Sequence, residues 1–182
     1  MPNFLPKVIM IGNPRTGSGS MHHLLGIHEV LLSSPVTRNE RASVMRLKYS
    51  DIWDKTFKFG FVRHPIKRFI SAYCTVPIMD IQAAMAYNPV IFTKQSKYFD
   101  EDIDFIGRYE RINTDWRKML RKAKLPYWPL PHTNKRPDPT KPQIIDHHPV
   151  PHKFNDIKKL TKEQEEFVRE YYKEDFIRFK YV

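Results

Sequence analysis

A short apolar run that breaks into a loop rich in glycine and hydroxyl side chains, and then into a helix, constrains this chain most. Residues 8–11 (VIMI) lie between a proline and a glycine, which is typical of a strand buried on both faces of a parallel sheet. Residues 12–20 (GNPRTGSGS) follow, and apolar residues at helical spacing then predict a helix from about Ser18 into the low 30s. The sequence therefore predicts a strand, a loop and a helix in immediate succession.

This loop suits a phosphate or a sulfate, because the first amides of a helix lack partners and the helix dipole is positive there. The nucleoside-triphosphatase pattern G-x-x-x-x-G-K-S/T fits at Gly12 and Gly17 but fails at the next two positions. The chain therefore lacks, at these positions, the lysine that reaches the terminal phosphates and the hydroxyl that holds magnesium in metal-dependent ATP chemistry. An ordinary connecting loop is the alternative. Six consecutive residues are the candidates for holding the anion: Arg15, Thr16, Gly17, Ser18, Gly19 and Ser20.

A second cluster of basic and hydroxyl side chains follows another apolar run. Residues 57–62 predict a core strand, and Pro65 occupies the favoured first position of a helix. Arg63 stands where the strand should end, and Ser71 lies about two turns into the helix. We expect both to reach one phosphate; the alternative is that Arg63 and Arg68 only flank a helix terminus.

The alternation of strands and helices predicts an α/β fold with a parallel sheet. Eight prolines between residues 126 and 151 predict a long irregular loop, and we expect a single domain over residues 1–182. Four further segments are predicted. A helix is expected over 42–53, a strand over 103–107, and a helix over 114–123 with a basic outer face and with Trp116, Met119, Leu120 and Ala123 inward. A last helix opens with a capping box at Thr161 and Gln164 and runs to about Lys173.

Charge and composition limit the partners and the cellular compartment that we expect for this chain. The 31 Lys and Arg residues outnumber the 20 acids, and the formal charge of +11 attracts anions. A single cysteine gives no sign of an oxidising compartment, and the sequence has neither a secretory leader nor a membrane span, so we expect a cytoplasmic protein. Histidines at 147, 148 and 152 have no cysteine partners, so we expect no metal.

Residues 14–18 (PRTGS) and 63–73 (RHPIKRFISAY) together resemble the two nucleotide motifs of the sulfotransferases, specifically of the carbohydrate group that acts on heparan, chondroitin and dermatan chains. The resemblance implies a P-loop-like three-layer fold with a central parallel sheet flanked by helices. It implies PAPS (3′-phosphoadenosine 5′-phosphosulfate) as the donor, PAP as the product, and no metal. It continues, in the expected order along nearly the whole chain, through residues 53–55, 105–110, 130–135 and 172–176.

The resemblance also implies roles for individual residues. Residues 15–20 would hold the 5′-phosphosulfate, and Arg63 and Ser71 the 3′-phosphate. Tyr109 falls near the position that lies against the adenine, where an aromatic ring would stack on the base; a packed core tyrosine is the alternative. Lys135 is a candidate for closing over the nucleotide, although a surface loop braced by prolines also explains it.

Sulfuryl transfer builds negative charge on the departing phosphate, and a fixed cation stabilises that charge. We assign this role to Arg15, whose guanidinium stays charged and does not hand over a proton. An acceptor hydroxyl also needs a base. Sulfotransferases that this chain resembles usually have a histidine where this chain has Arg41. The candidates for the base are therefore Glu40, or His22 and His23. An ordinary surface or packing role is the alternative for each of them.

The sequence thus predicts transfer of a sulfuryl group from PAPS to a hydroxyl, or an amine, of an acceptor that the resemblance makes a carbohydrate. One alternative is a P-loop nucleotide kinase or NTPase that uses ATP and magnesium. Another is a catalytically impaired polyanion-binding protein of the same fold. No specific nucleic acid partner is expected. The basic segment 115–136 could guide an acidic acceptor, although a soluble helix face also explains it.

Overall fold

A computed structural model describes residues 6–32, 39–131 and 157–182, together with the backbone of 143–145 and 148–150. The chain divides into two compact units. The first consists of Met1–His64 and Lys94–Asn134, and the second of Pro65–Thr93 and Lys135–Val182. Each unit has an apolar core of its own.

The described part of the first unit contains a parallel sheet, in which the strands lie in the order β1 (Val8–Ile11), β2 (Phe57–Val62) and β3 (Phe105–Arg108). The expected α/β class, with a parallel sheet and flanking helices, is confirmed. The strands predicted at 8–11 and 57–62 begin and end at the predicted residues, whereas β3 begins and ends slightly later than expected. The unit also contains helices α1 (Ser18–Ile27), α2 (Ala42–Lys48) and α6 (Ile112–Lys122).

One face of the sheet packs against α1 and α6. Side chains alternate along a strand, so Phe59 and Phe61 of β2 both point to this face. Their rings meet edge to face, with centroids 6.4 Å apart. The four inward positions predicted for α6 are buried as expected. The rest of this core consists of Val8, Met10, Met21, Leu25, Val30, Trp116, Met119, Leu120, Ala123 and Leu125.

The opposite face of β2 is covered by the segment around Phe99. A Cβ atom added at Gly60 would lie 2.3 Å from Phe99 Cε1 and 3.0 Å from the carbonyl oxygen of Ile11. Phe99 is fully buried, so its ring has no room to withdraw. This segment also anchors α2, because the Ala42 amide donates to the Tyr98 carbonyl oxygen at 2.9 Å.

Helix α1 ends at Ile27, so its predicted extension into the low 30s is wrong. The chain reverses at Glu29, whose φ is +52°, and then runs beside β1. The Val8 amide donates to the Val30 carbonyl oxygen at 2.8 Å, and the Leu32 amide donates to the Val8 carbonyl oxygen at 3.0 Å. Pairing with the sheet edge satisfies backbone groups that a longer helix would otherwise have satisfied.

The helix predicted over 42–53 is also shorter than expected. Helix α2 ends at Lys48, and a separate 3-10 turn covers Trp53–Lys55. The Thr56 hydroxyl donates to the Ile52 carbonyl oxygen at 2.8 Å, which closes this turn just before β2. The turn carries the Trp53 side chain into a buried position.

The described part of the second unit is mainly helical. Its core is built on Phe69, Tyr73, Phe92, Val168 and Tyr172. The helix predicted to begin at Pro65 is confirmed. The Thr161–Gln164 capping box is present, but the last helix breaks at Tyr172. The helices are α3 (Pro65–Tyr73), α4 (Ile81–Tyr87), α5 (Pro89–Phe92), α7 (Lys162–Tyr171) and α8 (Lys173–Arg178).

Arg68 is a buried member of this second core and does not flank a helix terminus. Its guanidinium carbon lies 6.0 Å from the centre of the Tyr172 ring. The Tyr172 hydroxyl donates to the Phe92 carbonyl oxygen at 2.5 Å. Burial raises the pKa of Tyr172 above its ordinary value, so the hydroxyl remains a donor. The network connects α3, α5 and the junction of α7 and α8.

The proline-rich stretch is not irregular throughout. The backbone of β4 (Gln143–Ile145) pairs antiparallel with β5 (His148–Val150). The expectation of an irregular loop over 126–151 is therefore wrong for these two strands. Prolines do not prevent this pairing, because a short two-stranded ladder has free edges that need no donor.

We expect Gly60→Ala to lower the free energy of unfolding by about 1 to 3 kcal/mol, because the new methyl group collides with a buried ring and a backbone oxygen. Urea denaturation measures the change. Gly26→Ala on α1 is the matched control, since no atom lies within 4 Å of the added Cβ. It should be neutral, or stabilising by up to about 1 kcal/mol. Equal stabilities of the two variants would contradict the described packing.

Candidate functional site

The loop between β1 and α1 forms a tight turn at the carboxyl edge of the sheet. Gly17, the residue before α1, has a φ of +82°, which favours glycine. The Thr16 hydroxyl donates to the Asn13 carbonyl oxygen at 2.7 Å and closes the turn. Helix α1 then begins at Ser18, so its first amides face the end of the loop. The arrangement is that of an anion-binding helix terminus.

Arg15 occupies the outermost position of this loop. It is exposed, and its φ is +68°, a conformation that costs a residue with a side chain about 1 to 2 kcal/mol. Glycine would adopt this conformation without the penalty. A cation retained in a strained backbone position supports a functional role for the side chain.

Arg63 follows β2 at the same edge of the sheet and contacts the loop. Its Nη1 atom donates to the Arg15 carbonyl oxygen at 3.2 Å. Its guanidinium carbon lies 4.4 Å from the centre of the Tyr109 ring. The structure therefore brings together Arg15, Arg63 and Tyr109, which the sequence places far apart.

Tyr109 also packs against the loop. It begins the 3-10 turn that follows β3, and its ring is half-buried. A Cβ atom added at Gly17 would lie 3.4 Å from Tyr109 Cε2 and 2.9 Å from Ile112 Cδ1. Gly17 is thus required both by its φ angle and by the close approach of these two side chains.

Two side chains that the sequence did not single out for the site hold the end of β2 in place. Gln95 is fully buried and bonds to the backbone of Arg63 and to the side chain of Asn13. Glu110 accepts a hydrogen bond from the His64 amide at 2.7 Å. The family resemblance covered Glu110 but gave it no role, and no motif had indicated Gln95.

The structure also describes Ser71, Glu40 and His22, each in its own surroundings. Ser71 is half-buried on α3 in the second unit. Both oxygens of Glu40 contact Lys48 Nζ, at 2.5 and 2.7 Å. His22 is buried on α1, and its Nε2 atom has no hydrogen-bond partner among the described residues. Lys135 lies outside the described residues.

The outer face of α6 and the turn that follows it form a basic surface, which we define as Arg117, Lys118, Arg121, Lys122 and Lys124. All five side chains are exposed. Lys118 lies 4.0 Å from the buried Asp115, whereas the other four have no carboxylate partner within the described part of the chain. The first residue of α6, Ile112, contacts the loop near Gly17, and Arg117 follows it five residues later along the helix.

A cleft of about 230 Å³ lies at the opposite, amino edge of the sheet. Four of its eight lining residues are acidic and two are basic. Arg46 pairs with Glu101 at 2.7 Å, and Lys58 pairs with Asp104 at 3.2 Å. Unpaired carboxylates repel phosphate, so this cleft does not suit a nucleotide. Among the residues that the structure describes, no group of His, Cys, Asp or Glu is placed to hold a metal ion, and no helix is long and apolar enough to cross a membrane.

The described geometry defines an α/β protein with a candidate anion site at the carboxyl edge of a parallel sheet. Residues 31–89 match the model of the sulfotransferase family. The match supports a sulfotransferase-type protein, and it includes Arg63 and Ser71 but not the loop at 12–20. No curated protein and no solved structure was found to match the chain.

The strain at Arg15 gives a testable expectation. Arg15→Gly should be more stable than Arg15→Ala by about 1 kcal/mol, because glycine adopts a positive φ at little cost. Both variants lose the same cation, so the difference between them measures the free-energy cost of the positive φ angle at residue 15. Urea denaturation of the two variants measures the difference. Equal stabilities would show that residue 15 does not adopt this conformation in solution.

Proposed function

We propose that this chain transfers a sulfuryl group from PAPS to a hydroxyl, or an amine, of a carbohydrate acceptor. The observation that carries the proposal is the contact between Arg63 and the loop at Arg15. It unites the two cations that the family resemblance assigns to the two ends of PAPS. The match of residues 31–89 supports the same class of chemistry.

The 5′-phosphosulfate is proposed to bind at the loop and the start of α1. This segment brings backbone amides, the Ser18 hydroxyl and the guanidinium of Arg15 to one place, while the Ser20 amide already donates to the Gly17 carbonyl oxygen at 3.1 Å. The Ser20 hydroxyl is proposed to complete the site, as the resemblance implies. The Thr16 hydroxyl already donates to Asn13, so its amide is the group available to an anion. The positive end of the α1 dipole adds to the attraction.

The 3′-phosphate is proposed to bind Arg63 and Ser71, as the resemblance implies. Arg63 donates one hydrogen bond to the loop, and a guanidinium has five N–H donors. It can therefore retain that bond and still bind phosphate oxygens. Tyr109, already in contact with both Arg63 and the loop, is proposed to contact the adenine. Lys135 is proposed to close over the nucleotide.

The proposed reaction breaks the bond between sulfur and the oxygen that bridges it to the 5′-phosphate. A new bond forms between sulfur and the acceptor oxygen, and PAP departs with the electron pair of the broken bond. The negative charge that develops on the phosphate falls next to Arg15 and the amides of α1, which stabilise it electrostatically. The proton of the acceptor hydroxyl passes to a base.

His22 and Glu40 are the proposed candidates for that base. His22 follows the loop by one turn of α1, and its Nε2 atom has no partner among the described residues. Glu40 already has both carboxylate oxygens engaged by Lys48. Because that Nε2 atom is also buried, His22 can act as the base only where the neighbouring side chains move apart when the acceptor binds.

The acceptor is proposed to be an acidic carbohydrate that lies along the basic surface of α6. The four cations of this surface without a carboxylate partner attract anionic groups. The Arg117 guanidinium lies 4.9 Å from the centre of the exposed Tyr127 ring, which keeps it close to the protein surface. Helix α6 begins next to the loop, so an acceptor chain that lies along the helix and extends towards Ile112 is proposed to reach the sulfuryl group.

Thermal-shift measurements with PAP, ADP and ATP, each with and without magnesium, test the donor. PAP at a hundredfold excess over its Kd should raise Tm by about 5 to 10 °C, without need of magnesium. Arg63→Ala should abolish most of that shift, because it removes the cation proposed to bind the 3′-phosphate. Arg46→Ala is the matched control, since Arg46 pairs with Glu101 at the opposite edge of the sheet.

A larger shift with ATP and magnesium than with PAP would favour the kinase or NTPase alternative instead. An unchanged PAP shift in Arg63→Ala would contradict the assignment of the 3′-phosphate. Binding of a sulfated polymer without any PAP shift would favour a polyanion-binding protein that has lost the reaction.

The proposed binding of the acceptor to the basic surface leads to a separate prediction. Arg117→Glu with Arg121→Glu should lower sulfation of an acidic glycan at least about tenfold, because charge repulsion weakens acceptor binding. The PAP-induced shift should not change. Lys158→Glu with Lys159→Glu, at exposed positions of the second unit, makes the same change in net charge. Radiolabel transfer from PAPS measures the rates, and equal losses in both double variants would point to net charge alone.

A further inference from the structure

Gln95 connects the candidate anion loop to the backbone of Arg63. Its Oε1 atom accepts hydrogen bonds from the Arg63 amide at 2.9 Å and from Asn13 Nδ2 at 2.9 Å. Its Nε2 atom donates to the Arg63 carbonyl oxygen at 2.8 Å. One fully buried side chain therefore satisfies both backbone groups of Arg63 and one side chain of the loop.

The orientations of both amides follow from the backbone groups that they face. A backbone N–H only donates and a carbonyl only accepts, so Gln95 fits Arg63 in one of its two flipped states. Asn13 Nδ2 also donates to the Phe61 carbonyl oxygen at 3.0 Å, which fixes Asn13 in the same way. The hydrogen bonds thus form a continuous path from β2 through Gln95 and Asn13 to the loop.

This path of hydrogen bonds lies at the carboxyl edge of the sheet. The last pair of residues in register between β2 and β3 is Val62 with Arg108, so Arg63 lies one residue beyond the ladder. Gln95 supplies the donor and the acceptor that a neighbouring strand would otherwise provide. With its backbone held on both sides, Arg63 projects its side chain in a fixed direction, to Tyr109 and the Arg15 carbonyl oxygen.

We propose that Gln95 is a positioning residue that holds Arg63 in the orientation required to bind the 3′-phosphate of the donor nucleotide. The inference rests on the proposed function, because it gives Arg63 that ligand. Gln95 itself is buried behind the Arg63 backbone and touches no substrate. Its action runs mainly through Arg63, because two of the three described bonds of its side chain go to that residue. Asn13 also has the Phe61 carbonyl oxygen as a second partner.

The test compares two nucleotides that differ only in the 3′-phosphate, PAP and adenosine 5′-monophosphate, by isothermal titration calorimetry. In the natural chain PAP should bind more tightly than the monophosphate. Gln95→Met keeps the size of the side chain but removes the three hydrogen bonds. It should reduce the preference for PAP about tenfold, with little change in the affinity for the monophosphate. General loosening of the fold would weaken both nucleotides alike.

A double-mutant cycle shows whether Gln95 acts through Arg63. Arg63→Ala should lose the preference for PAP, and adding Gln95→Met to it should cause no further loss. Gln164→Met is the matched control: it removes a hydrogen-bonding glutamine from the capping box of α7 and should lower stability without changing the preference. Circular dichroism checks that each variant is folded. If Gln95→Met does not fold, Gln95→Asn carries the same expectation, since its amide is one methylene shorter and does not reach both backbone groups of Arg63.

Two results would overturn the inference. One is an unchanged preference for PAP in a folded Gln95 variant, and the other is an equal loss in the presence and absence of the Arg63 side chain. Failure of the proposed function looks different, because the natural chain would then show no preference for PAP before any residue is changed.

Discussion

The parallel pairing of β1 with β2 is the interaction on which the candidate site depends. In parallel strands the carboxyl ends meet at one edge, and the register here places Ile11 opposite Gly60. The loop at 12–17 and Arg63 therefore leave the sheet side by side. A slip of one residue would turn Phe59 and Phe61 away from the core and carry Arg63 away from the loop. Gly60 opposes such a slip, because only a residue without a side chain fits between Phe99 and the Ile11 carbonyl oxygen.

The sequence predicted the elements whose signals are local. The two buried strands were predicted to the residue, because each is a compact apolar run that ends at a loop. The inward face of α6 and the capping box at Thr161 follow from helical spacing and cap chemistry alone. The end of α1 could not be predicted in this way. Val30 continues the helical spacing of apolar residues, but it enters the core from an extended segment that pairs with β1.

The same division applies to the candidate site. Arg15, Arg63 and Tyr109 were selected by motif, and the structure brings them into contact, although their roles remain proposals. Gln95 gave no signal because its partners are backbone groups and an amide far along the chain: Arg63 is 32 residues away and Asn13 is 82. A single buried glutamine forms no repeating pattern in a sequence. Its partners are backbone groups, which every residue type has, so the sequence does not show which residues it binds. Residues that hold a site in place are therefore harder to predict than residues that contact a ligand.

The distribution of charge, rather than its total, is what selects an anion at the carboxyl edge. A formal charge of +11 is compatible with many anionic partners and indicates no position for them. Within the first unit, the cleft at the amino edge of the sheet is lined by four acidic and two basic residues, whereas Arg15, Arg63 and the start of α1 lie at the carboxyl edge. The helix dipole has its positive end at that same edge. Positive side chains and the positive end of the helix dipole thus lie at the carboxyl edge of the sheet. Parallel strand pairing places the loop and Arg63 at the same edge, so the fold and the electrostatics favour the same location for an anion.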